Sequence, residues 1–217
     1  DTANDSITVT VKGGVFDIDN VWFAVDPDGP PPERFRDEVP FLALLDSPTL
    51  IDFEGIATVP DESVFFGNPG VFADQGVTFA GGSWISVRNI ASFYGSGSFL
   101  ESSGGDQQTV QILLPANTIA VGFSYGYAKW PTETASVNVD GGVEYELPNG
   151  DAGGLEFFGV VGDTPIGVVT VTADGEIFDI DNVWFFIDPD APPPEFYRDE
   201  SDFLDSLNSP TLYDFEG

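Results

Sequence analysis

Apolar and polar residues alternate with a period of two along most of this chain, which is the pattern of half-buried β-strands. The segment 6–11, Ser-Ile-Thr-Val-Thr-Val, is an example, and its β-branched residues favour extended backbone. Stretches rich in Gly, Pro, Asn and Asp separate the alternating segments and predict turns. The predicted strands are 6–11, 15–25, 49–54, 76–80, 84–87, 109–114, 118–127, 134–139, 143–147, 155–160, 167–173 and 176–187.

So many short strands separated by turns predict an all-β fold, a jelly roll or β-sandwich. Two pairs of neighbouring strands are expected to form hairpins. One pair is 6–11 with 15–25, and the other is 167–173 with 176–187, joined by a turn at Asp174-Gly175. The face of 118–127 that carries Val121, Phe123, Tyr125 and Tyr127 is expected to lie in the core.

One segment has a helical rather than a two-residue period. In residues 33–46 the spacing of the apolar residues predicts one short amphipathic helix before the first strand of the fold. Pro40 interrupts the first half of this segment. The residues with helical spacing are Phe35, Val39, Leu42 and Leu45.

The chain repeats itself at a fixed offset. The eight residues Phe16–Phe23 recur letter for letter as Phe178–Phe185, and 178 − 16 = 162. At the same offset and without insertion, the whole of residues 1–55 reappears as residues 163–217. A period of this length is the size of a domain rather than of a solenoid repeat. The sequence therefore predicts a tandem array of globular units.

The repeat divides the chain into one complete unit and two partial ones. We call 33–55 and its copy 195–217 heads, 1–29 and its copy 163–191 tails, and 56–162 the body. The predicted parts are the C-terminal hairpin of a preceding repeat (1–29), a Pro linker (30–32), one complete jelly-roll unit (33–188), a second Pro linker (189–194) and the N-terminal helix and strand of a following repeat (195–217). The chain thus holds two heads and two tails but only one body. This set of parts is expected of a segment taken from a longer tandem array. A polymer subunit that donates a strand to its neighbour is the alternative.

The strongly negative net charge of the chain excludes some classes of binding partner. With 37 acidic and 6 basic residues the formal net charge is −31, which argues against binding to nucleic acid or to an anionic membrane surface. Divalent cations are the expected counter-ions, unless the acids only solvate the surface. The chain has no Cys and no Met, which suits an extracellular location, and it has no His, the usual general base and the commonest transition-metal ligand. No apolar run is long enough to span a membrane.

Clustered acids suggest a metal site. Alternation places Asp52 and Glu54 on one face of their strand, and Asp179 and Asp181 on one face of theirs. The alternation slips at Asn182, which predicts a bulge. If the first and last strands of the unit are neighbours, these five side chains converge, and an all-oxygen ligand set favours Ca²⁺. Acids that simply face water are the alternative. The equivalent residues in the other copies are Asp17, Asp19, Asn20, Asp214 and Glu216.

Other candidate chemistry is sparser. Trp84 and Trp130 could stack on sugar rings, although packing in the core or at the rim is the simpler interpretation, and Asn4 lies in a glycosylation sequon. Carboxylate pairs can cleave glycosides. The acids of the body, however, lie in no recognisable motif, so no enzymatic activity is expected. These acids are Glu133, Glu144, Glu146 and Glu156.

A series of short motifs carries a family resemblance. The motifs, in order, are Leu-Ile-Asp-Phe-Glu-Gly at 50–55, Gly-Val-Thr-Phe at 76–79, Ala-Val-Gly-Phe at 120–123, Phe-Phe-Gly-Val at 157–160, Pro-Ile at 165–166 and Asp-Asn-Val at 181–183. The series resembles the jelly-roll domains of secreted bacterial surface proteins of the PEP-CTERM (exosortase-sorted) type. It is similar, more distantly, to calcium-containing carbohydrate-binding modules. This resemblance implies a structural calcium at Glu54, Asp179 and Asp181, and architecture rather than catalysis.

Together these observations predict a structural extracellular tandem-repeat protein that forms a surface fibre or matrix filament, with domains stiffened by Ca²⁺. Its expected partners are neighbouring copies of its own repeat and other filament chains, with glycans as a further candidate. A carbohydrate-binding adhesin module is the first alternative. A strand-donating polymer subunit is the second.

Overall fold

A computed structural model describes residues 21–23, 32–67, 70–81, 84–89, 97–104, 107–127, 134–142, 144–148, 155–174, 177–191 and 211–213. Within these ranges the chain forms one short helix, α1 (Glu38–Leu42), and sixteen strands. The strands are β1 (Val21–Phe23), β2 (Glu33–Phe35), β3 (Thr49–Ile51), β4 (Ser63–Phe65), β5 (Val71–Asp74), β6 (Val77–Gly81), β7 (Trp84–Asn89), β8 (Ser98–Ser103), β9 (Gln107–Leu113), β10 (Thr118–Tyr127), β11 (Ala135–Val139), β12 (Glu144–Leu147), β13 (Glu156–Val161), β14 (Val168–Asp174), β15 (Ile177–Ile187) and β16 (Thr211–Tyr213).

Two antiparallel sheets form the unit, which confirms the all-β sandwich. The larger sheet has eight strands in the order β2-β13-β10-β15-β8-β7-β4, with β3 paired to β15 beside this path. The smaller sheet has six strands in the order β12-β11-β14-β9-β6-β5. Strands β1 and β16 pair separately with each other. The described residues contain no helix long and apolar enough to cross a membrane.

The main core lies between the two sheets, where alternate residues of each strand are buried. In β14, for example, Val169 and Val171 are buried and their neighbours are partly exposed. Val121, Phe123 and Tyr125 lie in this core, as their alternation predicted. The core also takes Ile51 and Phe53 from the head, so the head completes it.

The ten strands predicted between residues 49 and 187 are all present, and β10 has the predicted bounds. Four strands were missed: β2, β4, β5 and β8. The omission of β8 has a clear cause, because three polar residues, Ser98, Glu101 and Ser102, are buried in it and break the apolar alternation. The predicted strand 6–11 and most of 15–25 lie outside the described residues.

The predicted hairpin of 167–173 with 176–187 is wrong. Strand β14 pairs with β9 and β11 in the smaller sheet, and β15 pairs with β10, β8 and β3 in the larger one. The two strands therefore face each other across the sandwich instead of sharing hydrogen bonds. This arrangement lets both apolar faces, Val171 on one strand and Ile180 on the other, enter the same core.

The predicted helix is real but shorter than 33–46. Residues 33–35 form β2, which pairs with β13, and α1 begins only after Asp37. The Asp37 carboxylate caps the helix by accepting a hydrogen bond of 3.0 Å from Val39 N. Pro40 is tolerated because it lies in the first turn, where the backbone N–H has no partner within the helix. Val39 does not pack inward as predicted, since it is 74% exposed.

A second, smaller apolar cluster lies on the outer face of the larger sheet, beneath α1. Its buried members are Phe41 of the helix with Ala120 and Phe157 of the sheet. Gly122 and Gly159 are paired neighbours under the Phe41 ring, and a Cβ atom on them would lie 2.9 Å and 2.8 Å from that ring. The two glycines therefore leave room on the sheet for the Phe41 ring, where the helix docks.

The unit begins and ends at the same end of the larger sheet. One row of paired residues crosses four neighbouring strands here. It runs from Phe186 near the end of β15, through Ala120 of β10 and Val161 of β13, to Glu33 at the start of β2. Three strand spacings of about 4.8 Å place Phe186 and Glu33 about 14 Å apart. The linkers that precede and follow the unit consequently leave from one end of it.

Candidate functional site: the seam between head and tail

The head and the tail meet where β3 pairs antiparallel with β15, with Ile51 opposite Val183 and Thr49 opposite Phe185. The condition on which the predicted convergence of the acids depended, that the first and last predicted strands of the unit are neighbours, is therefore met. Strand β8 pairs with the other half of the same edge of β15, residues 177–180. Asp181 and Asn182 therefore lie at the break between β3 and β8. We call this region the seam.

The predicted bulge at Asn182 is present. Between Ser124 and Gly122 on β10, which lie opposite Asp181 and Trp184, the partner strand β15 contains one extra residue. Asn182 has a φ of 48°, in the left-handed region that Asn tolerates better than most residues. The Asp181 carboxylate accepts hydrogen bonds of 2.7 Å from Asn182 N and 3.3 Å from Asn182 Nδ2. Bulge and carboxylate thus hold each other in place.

The expectation that Asp52 and Glu54 share one face of a strand is wrong. Strand β3 ends at Ile51, and the buried Phe53 has a φ of 55°, so the chain turns and the alternation stops. The Asp52 carboxylate accepts a hydrogen bond of 3.1 Å from Glu54 N within this turn. Glu54 in turn reaches β8, where its Oε1 accepts a hydrogen bond of 2.9 Å from Ser98 N.

Gly97 leaves the room that this last contact needs. It has a φ of 145°, and a Cβ atom there would collide with Glu54 Oε1. A positive φ at the bulky, buried Phe53 is a rare conformation that the surrounding structure must stabilise. The seam therefore combines unusual backbone at Phe53 and Asn182 with carboxylates that bind backbone N–H groups.

Three of the predicted acids act on one another. Burial raises the pKa of Asp181 from its ordinary value of 3.8 to about 6, although the hydrogen bond from Asn182 N opposes the shift. The negative charges of Glu54, Asp52 and Glu38 raise this pKa further. The structure thus brings Asp52, Glu54 and Asp181 into one electrostatic cluster.

Glu38 is the member of the cluster that the sequence interpretation missed. It lies in the first turn of α1, and its Oε1 accepts a hydrogen bond of 2.7 Å from Trp184 Nε1 in the tail. A signal was present, because both residues recur in the other copies, as Glu200 and Trp22. The pair ties the head to the tail on the outer face of the sheet.

Asp179 lies in a different environment. It is 3% exposed and is paired across the strands with Glu101, which is 4% exposed. The Glu101 carboxylate forms an ion pair of 2.5 Å with Arg88 Nη1. Asp179, Glu101 and Arg88, on three neighbouring strands, therefore form a largely buried polar patch beside the seam.

Among the described residues, no group of three or more acids is arranged to hold a metal ion. The seam carboxylates instead accept hydrogen bonds from the protein itself: Asp52 from Glu54 N, Glu54 from Ser98 N, and Asp181 from Asn182. This arrangement does not amount to a formed calcium shell, and calcium stays a prediction. The equivalent residues Asp17, Asp19, Asn20, Asp214 and Glu216 lie outside the described part of the chain.

The aromatic candidate on β7 is at the surface. Trp84 is 48% exposed and makes an edge-to-face contact, with ring centroids 6.1 Å apart, with Phe65 on the edge strand β4. Phe65 is itself 59% exposed. Of the two kinds of packing expected for Trp84, in the core or at the rim, its exposure and its contact with Phe65 fit the rim. Trp130 and Asn4 lie outside the described residues.

The described acids of the body lie in two places. Glu144 and Glu146 of β12, with Asp174 of β14, line an open groove on the smaller sheet. Glu156 is exposed on β13, and Glu133 is outside the described ranges.

The seam pairing occurs a second time in the molecule. Val21 of β1 lies opposite Tyr213 of β16, just as Val183 lies opposite Ile51. The register is the same at the repeat offset, since 183 − 21 = 162 and 213 − 51 = 162. A tail and a head therefore pair in one fixed register in both places.

Comparison with models of known protein families, with curated proteins and with solved structures finds no match to this chain.

Proposed function

We propose that this chain is part of an extracellular structural protein built from tandem β-sandwich units, each closed by a seam between its head and its tail. The observation that carries the proposal is that a head strand and a tail strand pair at two places in the same register. Residues 1–55 and 163–217 repeat at one offset, and the two pairs of strands, β3–β15 and β1–β16, have the same register. Head–tail pairing is thus a property of the repeat rather than of one unit.

The positions of the unit's ends shape the array that we propose. Because both linkers leave from one end of the larger sheet, successive units would lie beside one another along the linkers. A pole-to-pole string would instead need the ends on opposite sides. A surface fibre or matrix filament of this kind would expose most of each sandwich, including its acidic surface, to other filament chains.

Electron microscopy of the native material tests the array directly. We expect one globular particle for each repeat period, set at a regular spacing of some tens of ångströms along the fibre. Material without any regular repeat along its axis would contradict the proposal.

Calcium is the second part of the proposal. Burial and the repulsion from neighbouring carboxylates raise the pKa of Asp181. A divalent cation would offset that repulsion, and Ca²⁺ accepts the irregular oxygen ligands that the seam offers. At pH 7.5 and matched ionic strength, Ca²⁺ should raise the melting temperature by several degrees relative to a chelator. Mg²⁺ should do so less. Asp181→Asn should abolish this difference in melting temperature. If Ca²⁺ does not change the melting temperature of the unmodified chain, the calcium proposal is wrong.

A carbohydrate-binding adhesin is the second candidate, and the exposed pair of Trp84 and Phe65 favours it. Exposed aromatic faces are suited to stack on sugar rings, and an edge strand leaves room for a long ligand. This proposal expects binding on a glycan array that Trp84→Ala removes. Val39→Ala, which truncates an equally exposed apolar residue on the helix, serves as the control and should leave binding unchanged.

A further inference from the structure

We propose that the body selects its own head through the residues at positions 34 and 51, so that the head of a neighbouring repeat, or of a second copy of this chain, is bound less well. The inference rests on the proposed array, because only an array places several heads near each body. Its basis is a comparison of the two heads at the positions where the first one touches the body.

Most contact positions are the same in both heads and cannot discriminate between them. Of the four residues that the first head contributes to the outer apolar cluster, Phe35 is replaced by Tyr197 and three recur in the second head. These are Phe41, Leu42 and Leu45, which return as Phe203, Leu204 and Leu207. By contrast, the exposed Val39 and Leu44 are replaced by Ser201 and Ser206. The second head therefore keeps what it needs to dock on a body of this kind.

Position 34 differs between the two heads, and in the first head its side chain contacts the body. Arg34 Nη2 donates a hydrogen bond of 2.7 Å to the Glu146 carbonyl of β12. Its guanidinium also lies 5.4 Å from the centroid of the Tyr145 ring, within cation–π range. The second head has Phe196 here, which can donate no hydrogen bond. Arg36, which donates to the same carbonyl, is kept as Arg198 and so does not discriminate.

Position 51 differs as well. Ile51 is fully buried in the core between the sheets, opposite Val183. The second head has Tyr213 at this position. A tyrosine is larger than an isoleucine and carries a hydroxyl that needs a partner, so it fits poorly in a core packed around Ile51. Both differences disfavour the second head on this body.

The linker does not prevent the second head from reaching the body. Phe186 and the position of Glu33 are about 14 Å apart. Nine residue steps separate Phe186 from Glu195, the equivalent of Glu33, and they span up to about 30 Å when extended. Reach alone therefore does not exclude the second head from this body.

Disulfide trapping in the full chain tests this proposal, since the chain has no cysteine of its own. Glu33 lies opposite Val161, and the equivalent of Glu33 in the second head is also a glutamate, Glu195. The variants Glu33→Cys with Val161→Cys and Glu195→Cys with Val161→Cys thus report matched contacts of the first and the second head. The rate of disulfide formation under mild oxidation is measured for each, with bonds between two chains included.

We expect the second pair to form its disulfide about tenfold more slowly than the first, a loss the size of one or two contacts. Restoring the first head's residues in the second, with Phe196→Arg and Tyr213→Ile, should raise the second rate about fivefold or more. These changes leave the unit's own head intact. Equal rates in the two pairs, or no response to the restoring changes, would overturn the proposal.

The same experiment separates this proposal from the proposed function. If the disulfide between positions 33 and 161 fails to form, the head does not dock on the body. The described seam and the proposed array are then both wrong. If the first pair forms and only the contrast between the heads is missing, the array stands and selection by positions 34 and 51 is wrong.

Discussion

The two apolar clusters of the unit are built in different ways. The core between the sheets is made from strand alternation, and body, tail and head all contribute to it, through residues such as Phe158, Phe178 and Phe53. The cluster on the outer face is centred on one helix residue, Phe41, which packs against Phe157 and lies over two glycines of the sheet. The first follows from the pattern of the sequence, whereas the second depends on the docking of the head.

This difference indicates where the repeat is joined. The outer cluster is bordered by Trp184, whose indole binds Glu38, and Glu38 contributes to the charge around Asp181. Helix docking, strand pairing and the acidic cluster thus meet at one place. Changes to the outer cluster should affect closure of the unit while the core between the sheets stays intact.

Phe41→Ala should have the largest effect. It removes a fully buried ring and leaves a cavity over the two glycines, which costs about 3–5 kcal/mol of the free energy of unfolding. Chemical denaturation measures this loss. Val39→Ala, in the same helix but exposed, should change stability by less than about 0.5 kcal/mol. Equal effects of the two substitutions would mean that the helix is not docked as described.

Gly122→Ala should come next. The added methyl group would meet the rings of Phe157 and Phe41 at 2.7 Å and 2.9 Å, so the helix or the sheet must shift. Overpacking of this kind costs about 1–3 kcal/mol. Gly142→Ala is the matched control, because its methyl group would make only an ordinary contact of 3.4 Å. A neutral Gly122→Ala would show that the outer cluster is loosely packed.

The carboxylate of Asp181 gives a smaller, pH-dependent effect. Its folded-state pKa of about 6 is above the ordinary value of 3.8, so the folded state binds more protons between these pH values than the unfolded state does. Ionisation of this group therefore destabilises the fold, fully above about pH 6, and the penalty is lost as the pH falls from about 6 to 3.8. Asp181→Asn should add about 1–2 kcal/mol to the free energy of unfolding at pH 7.5 and flatten its pH dependence between about 4 and 6. A loss of stability at pH 7.5 would show that the carboxylate is needed in its charged form.

Trp184→Phe should have the smallest effect. It keeps most of the ring but removes the hydrogen bond of 2.7 Å to Glu38, a loss of about 1 kcal/mol. Glu38→Gln retains an acceptor oxygen and should cost less than Trp184→Phe. If Glu38→Gln proves the more harmful of the two, the charge of Glu38 matters more than its hydrogen bond.

The sequence predicted the parts of the fold that depend on local alternation. Strand β10 was located correctly because Val121, Phe123 and Tyr125 alternate without interruption. The β14–β15 connection was misjudged, because an Asp-Gly turn looks the same in a hairpin and in a crossing between sheets.

The candidate site was predicted in part. The bulge at Asn182 followed from the slip in the apolar alternation, whereas the neighbouring positions of β3 and β15 were a condition that the pattern could not decide. The turn at Phe53 did not, because its positive φ is imposed by packing and not by the residue type. Glu38 was missed for a similar reason, since only the docked helix brings it to Trp184.

The most direct test of the account is whether residues 33–191 form a complete unit. We expect this segment to unfold in one cooperative thermal transition, with a midpoint within about 3 °C of that of the full chain. The segment 56–191, which lacks the head, should be destabilised at least as much as by Phe41→Ala. If residues 33–191 are much less stable than the full chain, the flanking segments are integral to the fold, and head–tail closure within one unit is contradicted.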